Sequence, residues 1–349
     1  MKNIIIIIVY ICTCSFSAKS NTEIDIKSNI DIKLTDKYIN ELEIIWSNIY
    51  QKELKIKNKE LDSLLIIEKH AEHINDKELF YALGVVYMNI PNSLKAFKWM
   101  KLAANYNHPP ALHNIGWWYD HGFGHIKIDK IKSLEYYNKA FWELGLARSG
   151  GRLAEIYLTD DSFEINKEYA IKILLKIIED KENLIVEEYD IILAEYKLGN
   201  IYRYAFPEEQ DLDKSLLYFL SAASKGHEQS MVESGQLYRQ KYRKNGEKKH
   251  NNLAEKLYKL AAQKGNTEAM VYLSAIYYEK YSNGIEKNIN KYKYTSWIYA
   301  AYKIGIENEN LINNVIKFVE NNILNNYKLK TMLNKQTDEC INNNFKDCF

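Results

Sequence analysis

Proline is nearly missing from this chain of 349 residues, which has only four, and glycine is scarce at 14. So few breakers exclude proline-rich spacers, collagen-like repeats and a fold built from many tight turns. They favour long helices. Excess charge of either sign is also lacking: the formal net charge is +1. Nucleic-acid binders usually carry a strong basic surplus, because neutralising phosphates supplies much of their affinity. Nucleic acid is therefore not an expected partner. Beyond the first residues, no apolar run is long enough to span a bilayer, so stable membrane insertion is not expected. What the chain does have is 28 tyrosines, with apolar residues at 46% and charged ones at 27%. That balance suits a folded protein and argues against wholesale disorder.

The N-terminus reads MKNIIIIIVYICTCSFSAKSN. Lys2 supplies a short positive start, and Ile4 to Ile11 is an apolar stretch of signal-peptide length. Small residues at Ser15, Ser17 and Ser20 allow cleavage after Ser17 or after Ser20. Cys12 and Cys14 raise the possibility of a lipoprotein, but the residues before them make a poor lipobox. A soluble exported product, periplasmic or secreted, is expected. Removing residues 1–20 takes away Lys2 and Lys19 and no acid, which shifts the formal charge from +1 to −1. It leaves Cys340 and Cys348, eight residues apart. In an oxidising compartment they are expected to form a local disulfide; a pair of free thiols is the competing reading.

A five-residue pattern recurs: LGVVY (83–87), IGWWY (115–119), LAEIY (153–157), LGNIY (198–202), SGQLY (234–238) and LSAIY (273–277). Its second position is always small (Gly84, Gly116, Ala154, Gly199, Gly235, Ser274) and its fifth is always Tyr. The steps between small positions are 32, 38, 45, 36 and 39 residues. A period in this range signals a solenoid of repeated supersecondary units. A second segment alternates with the first, as in KAFKWMKLAANYN (95–107), KSLEYYNKAFWELG (132–145), KSLLYFLSAASKG (214–226) and LAEKLYKLAAQKG (253–265). YAIKILLKIIED (169–180) and TSWIYAAYKIG (295–305) fill the same slot. Apolar residues recur at i, i+3, i+4 and i+7 in both segments, so each unit is predicted to be a pair of helices. Gly226, Gly265 and Gly305 fall where a left-handed residue would close the second helix.

The small residues have a packing reason. Glycine at a helix contact admits a neighbouring helix, and a bulky residue there would overpack it. Gly84, Gly116, Gly199 and Gly235 take this role on the first helix, with Ala222, Ala223, Ala261 and Ala262 on the second. The 45-residue step around ENLIVEEYDIILAEYKLG predicts a longer loop or an extra helical turn, and so an interruption of regular curvature near 181–195.

With its paired alanines, its Leu-Gly-x-x-Tyr and its glycine-bearing loop, the chain resembles the Sel-1-like repeat, a relative of the tetratricopeptide repeat. The clearest loop is YDHGFGHIKIDKIKS (119–133), with Gly122, Gly124 and Asp129. The resemblance spans about residues 79–306 and implies an all-α, right-handed α-solenoid of helix-turn-helix repeats. Around it, residues 1–20 are expected to be a signal peptide. Residues 21–78 are expected to be a polar leader followed by a helical cap, with Thr35 and Asp36 opening its first helix. Residues 307–349 are expected to be a C-terminal helical cap and tail. Cysteine-rich exported members of this family have been associated with binding or slowly hydrolysing β-lactams. Their Cys pairs lie eight residues apart within each repeat, a spacing found here once, at Cys340 and Cys348.

No catalytic constellation emerges, and no cofactor is expected. Gly122-x-Gly124 lacks the strand and third glycine of a dinucleotide loop. Asp120, His121, His125 and Asp129 straddle a glycine loop, which denies the histidines a shared helical face, so no metal site is expected. RQKYRKNGEKKH (239–250), the one basic cluster, reads as a charged loop between two helices, and secondarily as a patch for an acidic partner. The variable third position of the pentad is more informative, because packing does not dictate it. It holds Trp117, Asn200 and Gln236; one turn earlier on the same stripe come His113 and Tyr196, and one turn later Arg203 and Arg239. Aligned repeats would gather such residues on one concave face. His113, Trp117, Tyr196, Asn200, Arg203, Gln236 and Arg239 are therefore the expected partner-binding residues. The expected function is a non-enzymatic protein-interaction module of the cell envelope. A periplasmic immunity-type protein that neutralises a secreted toxin, and a repeat protein that weakly binds or hydrolyses β-lactams, are the alternatives.

Overall fold

The computed structural model describes residues 26–52, 58–90, 92–159, 166–204, 210–306 and 308–343. The described residues are helical and contain no strand. Two isolated bridges, Phe123 with Ile126 and Leu146 with Ile185, are the only β contacts among them. None of these helices is long and apolar enough to cross a membrane. The chain forms two compact units that meet in sequence between Asp190 and Ile191.

Many helix starts share one device. Asp76, Asn92, Asp129, Asn166, Asp211 and Asn266 each accept the backbone N–H three residues on, at 2.8–3.1 Å. This satisfies a donor that the first turn leaves unpaired. His108 and His227 do the same through Nδ1, for Ala111 and Ser230. Several helix ends are set by glycines: Gly226, Gly265 and Gly305 have φ of 95°, 94° and 102°, a region that side chains with a Cβ rarely adopt.

The first unit contains α1 (Ile26–Lys52), α2 (Asn58–Ala71), α3 (Lys77–Asn89), α4 (Ser93–Asn105), α5 (Pro109–His121), α6 (Lys130–Asn138), α7 (Ala147–Thr159) and α8 (Lys167–Glu179). A π-helical turn, Lys139–Glu143, follows α6. Helices α3 and α4, α5 and α6, and α7 and α8 pack as pairs; α4 also packs on α5, and α1 lies chiefly on α3. Leu79, Leu83, Trp99, Met100, Ile115 and Trp118 form a continuous core in which each is almost fully buried. At roughly 1.5–3 kcal/mol for each large apolar side chain buried, such residues dominate the stabilisation.

The second unit contains most of α9 (Glu188–Tyr204), then α10 (Leu212–Ser224), α11 (Glu228–Asn245), α12 (Lys248–Ala262), α13 (Thr267–Ser282) and α14 (Lys287–Ile304). Helices α15 (Glu309–Val319) and α16 (Tyr327–Asn342) follow. Here α11 packs on α12, α12 on α13, and α13 on α14. Ala261, Ala262, Ala300 and Ala301 are wholly buried where these helices meet. Helices α15 and α16 pack on α14, covering Tyr299 with Val315, Val319, Ile323 and Leu333. Both units are thus stacked helix pairs, the architecture of an all-α helical-repeat solenoid.

The small positions receive side chains of a facing helix. A Cβ added at Gly116 would lie 2.8 Å from the Tyr137 ring, at Gly199 2.5 Å from Phe219, and at Gly235 2.5 Å from Tyr258. At Gly84 it would meet the Met100 terminal methyl at 2.9 Å. Each glycine is therefore a notch filled by a large side chain of the following helix. Gly150 is a further notch, where an added Cβ would lie 2.6 Å from the Phe141 ring.

Two expectations need correction, and that of a longer loop or an extra helical turn near 181–195 is met. Helix α1 begins at Ile26, so the stretch expected to be a polar leader is helical from there, and Thr35 and Asp36 lie inside the helix instead of capping it. The long step near 181–195 is absorbed in two ways: α9 has 17 residues, and the preceding segment is tied back by the Leu146–Ile185 bridge. The basic cluster at 239–250 is mostly helix, because no breaker interrupts α11 before Gly246, whose φ is 71°. Cys340 is buried on α16 and disulfide-bonded; Cys348, its expected partner, lies outside the described residues, as does the expected signal peptide.

Candidate functional site

The pentad register separates cleanly in the structure. Its fourth position is buried in every repeat: Val86, Trp118, Ile156, Ile201, Leu237 and Ile276 are at most 8% exposed. Its third position (Val85, Trp117, Glu155, Asn200, Gln236, Ala275) is never buried. The turn before it is mixed. Gly151, Tyr196 and Val271 reach the surface in part, whereas Tyr81, His113 and Val232 do not.

In the first unit this changes the standing of two candidates. His113 is 3% exposed, bonded through Nδ1 to Ser149 Oγ at 3.0 Å and packed against the Tyr137 ring. Burial, reinforced by Arg148 and Arg152, holds its pKa well below the ordinary imidazole value. It is a packing residue, and no surface is left for a partner to touch. Trp117 is half-buried and stacked on His121, with ring centroids 4.6 Å apart. Of the residues considered for a metal, Asp120 is buried and paired with Lys130 at 2.5 Å. Asp129 caps α6, and the His125 ring meets Phe97 edge-on. Among the described residues no group of three or more His, Cys, Asp or Glu is placed to hold a metal.

In the second unit the structure gathers three of the expected residues. Arg203 on α9, and Gln236 and Arg239 on α11, line one cleft of about 400 Å³. Its other walls are Gln240 and Arg243, one turn further along α11, with Tyr258 of α12 and Tyr272 and Ala275 of α13. Two guanidinium groups are fixed from behind. Arg203 donates through Nη1 to Glu233 and through Nη2 to Gln236 Oε1, the latter at 2.7 Å. Arg239 donates to Asn251 Oδ1 at 2.5 Å and to Glu279 Oε2 at 2.6 Å. Burial raises the Glu233 pKa, and Arg203 pulls it back down. Burial also pushes the Tyr258 and Tyr272 hydroxyls up, with Tyr272 donating to Glu268 at 3.1 Å, so neither phenol ionises near neutrality. Tyr196 and Asn200 lie outside this lining: Tyr196 packs on Phe219 and His227, and Asn200 bonds its hydroxyl.

Arg243, Gln240 and the two tyrosines are absent from the sequence-derived set. For α11 the signal was available: Arg243 continues the spacing from Gln236 through Arg239 on one helical stripe, once the basic cluster is read as helix. Tyr258 was not accessible to that reasoning, because it enters from the second helix to fill the notch at Gly235.

The Sel1 repeat and one solved structure, the first of the two below, agree with this architecture. The Sel1 repeat matches residues 81–108, 109–141, 192–227, 235–266 and 267–291, leaving α7 and α8 outside. A Sel1 repeat protein from Oxalobacter formigenes superposes with a TM-score of 0.55 at 21% identity, covering 76% of this chain and 100% of that one. A protective antigen of uropathogenic Escherichia coli strains with an SLR fold, c5321, gives a TM-score of 0.42 at 21% identity, covering 81% of this chain and 65% of that one. Among curated proteins, none matches the chain.

Proposed function

We propose that this chain, which is a Sel1-like repeat protein, is a non-enzymatic interaction module of the cell envelope that grips a protein partner in the cleft of its second unit. Sel1 repeats generally mediate protein–protein interaction. The observation that carries the reading is the convergence of Arg203, Gln236 and Arg239, from two repeats, on one cleft with an aromatic wall. Arginine and tyrosine are the residue types that most often anchor protein interfaces. The internal bonds of Arg203 and Arg239 hold both guanidinium groups in place before a partner arrives, which lowers the ordering cost of binding. The envelope location is supported by the apolar, signal-like start of the sequence.

Ala275 gives a clean test. It is exposed, occupies the variable third position and lines the cleft, so Ala275→Trp fills the space without disturbing a buried pair. Tagged full-length chain and this variant are used for affinity capture from envelope and medium fractions, read by mass spectrometry. A protein enriched by the parent chain and lost with the variant is the expected result. Identical enrichment by both would refute the cleft as the gripping site.

A further inference from the structure

The cleft is not neutral in what it shows to solvent. Its lining contains three guanidinium groups, from Arg203, Arg239 and Arg243, and no carboxylate. The acids that hold two of these groups, Glu233 and Glu279, are outside the lining. Guanidinium carries five N–H donors, and Arg203 and Arg239 each commit only one bond from Nη1 and one from Nη2 to their internal partners. Arg243 differs from both. It is exposed and has no hydrogen-bond or ion-pair partner among the described residues. It stands one helical turn beyond Arg239 at the cleft mouth, and Lys244, Lys248 and Lys249 follow within six residues.

From this arrangement we infer that the cleft takes an acidic segment of a protein, with one carboxylate seated against the unpaired Arg243 guanidinium and an adjoining aromatic or aliphatic side chain against Tyr272. The inference rests on the reading of the cleft as the partner-gripping site and adds the chemistry of what is gripped. Planar guanidinium matches a carboxylate through two parallel N–H···O bonds, a geometry that lysine cannot reproduce. Arg203 and Arg239, with donors left over, widen the positive field without themselves having to release Glu233 or Glu279. Gln236 and Gln240 lie one turn apart on α11 beside them and can meet backbone amides of an extended segment.

The test uses the full chain and a short fluorescein-labelled peptide of alternating Glu and Tyr, titrated by fluorescence anisotropy. The comparison probes are the same peptide with Gln for Glu and an oligothymidylate of equal charge. Arg243→Gln removes no internal bond, so its fold, checked by circular dichroism, is unchanged. The acidic peptide should bind the parent chain and weaken on the order of tenfold in Arg243→Gln. Arg243→Lys should recover only part of the loss, and added salt should weaken binding by screening. The Gln peptide and the oligothymidylate should bind weakly or not at all. Equal affinity of parent and Arg243→Gln for the acidic peptide overturns the inference. So does equally tight binding of the oligothymidylate, which would make the cleft a general polyanion site. If Ala275→Trp abolishes envelope capture while Arg243→Gln leaves it intact, the interaction reading stands and the acidic-segment inference alone has failed.

Discussion

Two adjacent glycines on α7 should respond in opposite directions to the same substitution. Gly150 and Gly151 sit in the same helix, so replacing either with alanine brings the same helix-propensity gain, about 1 kcal/mol. Their surroundings differ. A Cβ at Gly151 would have nothing within 4 Å, whereas at Gly150 it would lie 2.6 Å from Phe141 Cε2 and 2.7 Å from Cδ2. The Phe141 ring is 1% exposed and held in the π-helical turn after α6. Overpacking of this kind costs about 1–3 kcal/mol. Gly151→Ala should therefore stabilise by about 1 kcal/mol, and Gly150→Ala should be neutral to about 2 kcal/mol destabilising. The difference between them isolates the notch, since the helix contribution cancels. Urea unfolding followed by tryptophan fluorescence is well placed to read it, because Trp46, Trp99, Trp117, Trp118 and Trp142 lie in the first unit and only Trp297 in the second. The midpoints should move apart with little change in slope. Adding Phe141→Leu to Gly150→Ala should cost less than Phe141→Leu alone, a non-additivity expected only for residues in contact. Equal shifts for the two alanine variants would refute the notch as the reason for glycine at position 150.

Two further outcomes follow from buried charge. Burial lowers the pKa of His113 and His227 below the ordinary value of about 6.5; the folded chain then binds fewer protons than the unfolded one, so stability held above that pH is lost as pH falls past it. Urea midpoints should decline on mild acidification, less steeply in His227→Asn, whose side chain can cap α11 without titrating; a flat profile would contradict the assignment. Arg203→Met leaves Glu233, 7% exposed, without its cation and should cost about 3–5 kcal/mol in thermal or urea unfolding. Arg203→Met with Glu233→Leu should recover most of this, and a double variant no better than the single would show that the pair is not what holds α9 to α11.

Much of the framework could be read from the residues because packing imposes it locally. A glycine that must admit Phe219 or Tyr258 leaves a signature at a fixed distance from a buried apolar position, and that signature survives steps from 32 to 45 residues. His113 could not be placed this way. Its slot faces outward at Tyr196 and inward at His113, depending on where the next helix pair settles, and that is a tertiary matter. Arg243 was obscured by composition: a run of Arg and Lys looks like solvated loop until one notes that nothing before Gly246 ends the helix. The start of α1 was missed for the opposite reason, since Thr35 and Asp36 are good cap residues that the chain does not use as caps. The resemblance to Sel-1-like repeats supplied the architecture early, but it could not say which variable positions share a cleft.

The Asp, Asn and His side chains that open many of the helices and the left-handed glycines that close several of the second ones have one more consequence. In those units start and stop are written locally instead of being counted from the unit before. A residue gained or lost in a connector therefore leaves the phase of the next helix pair unchanged, unlike in a β-strand, where a one-residue slip turns every side chain to the wrong face. Such a scaffold can lengthen its connectors while its buried notches stay in register, so that new shapes are tried at the rim without putting the interior at risk.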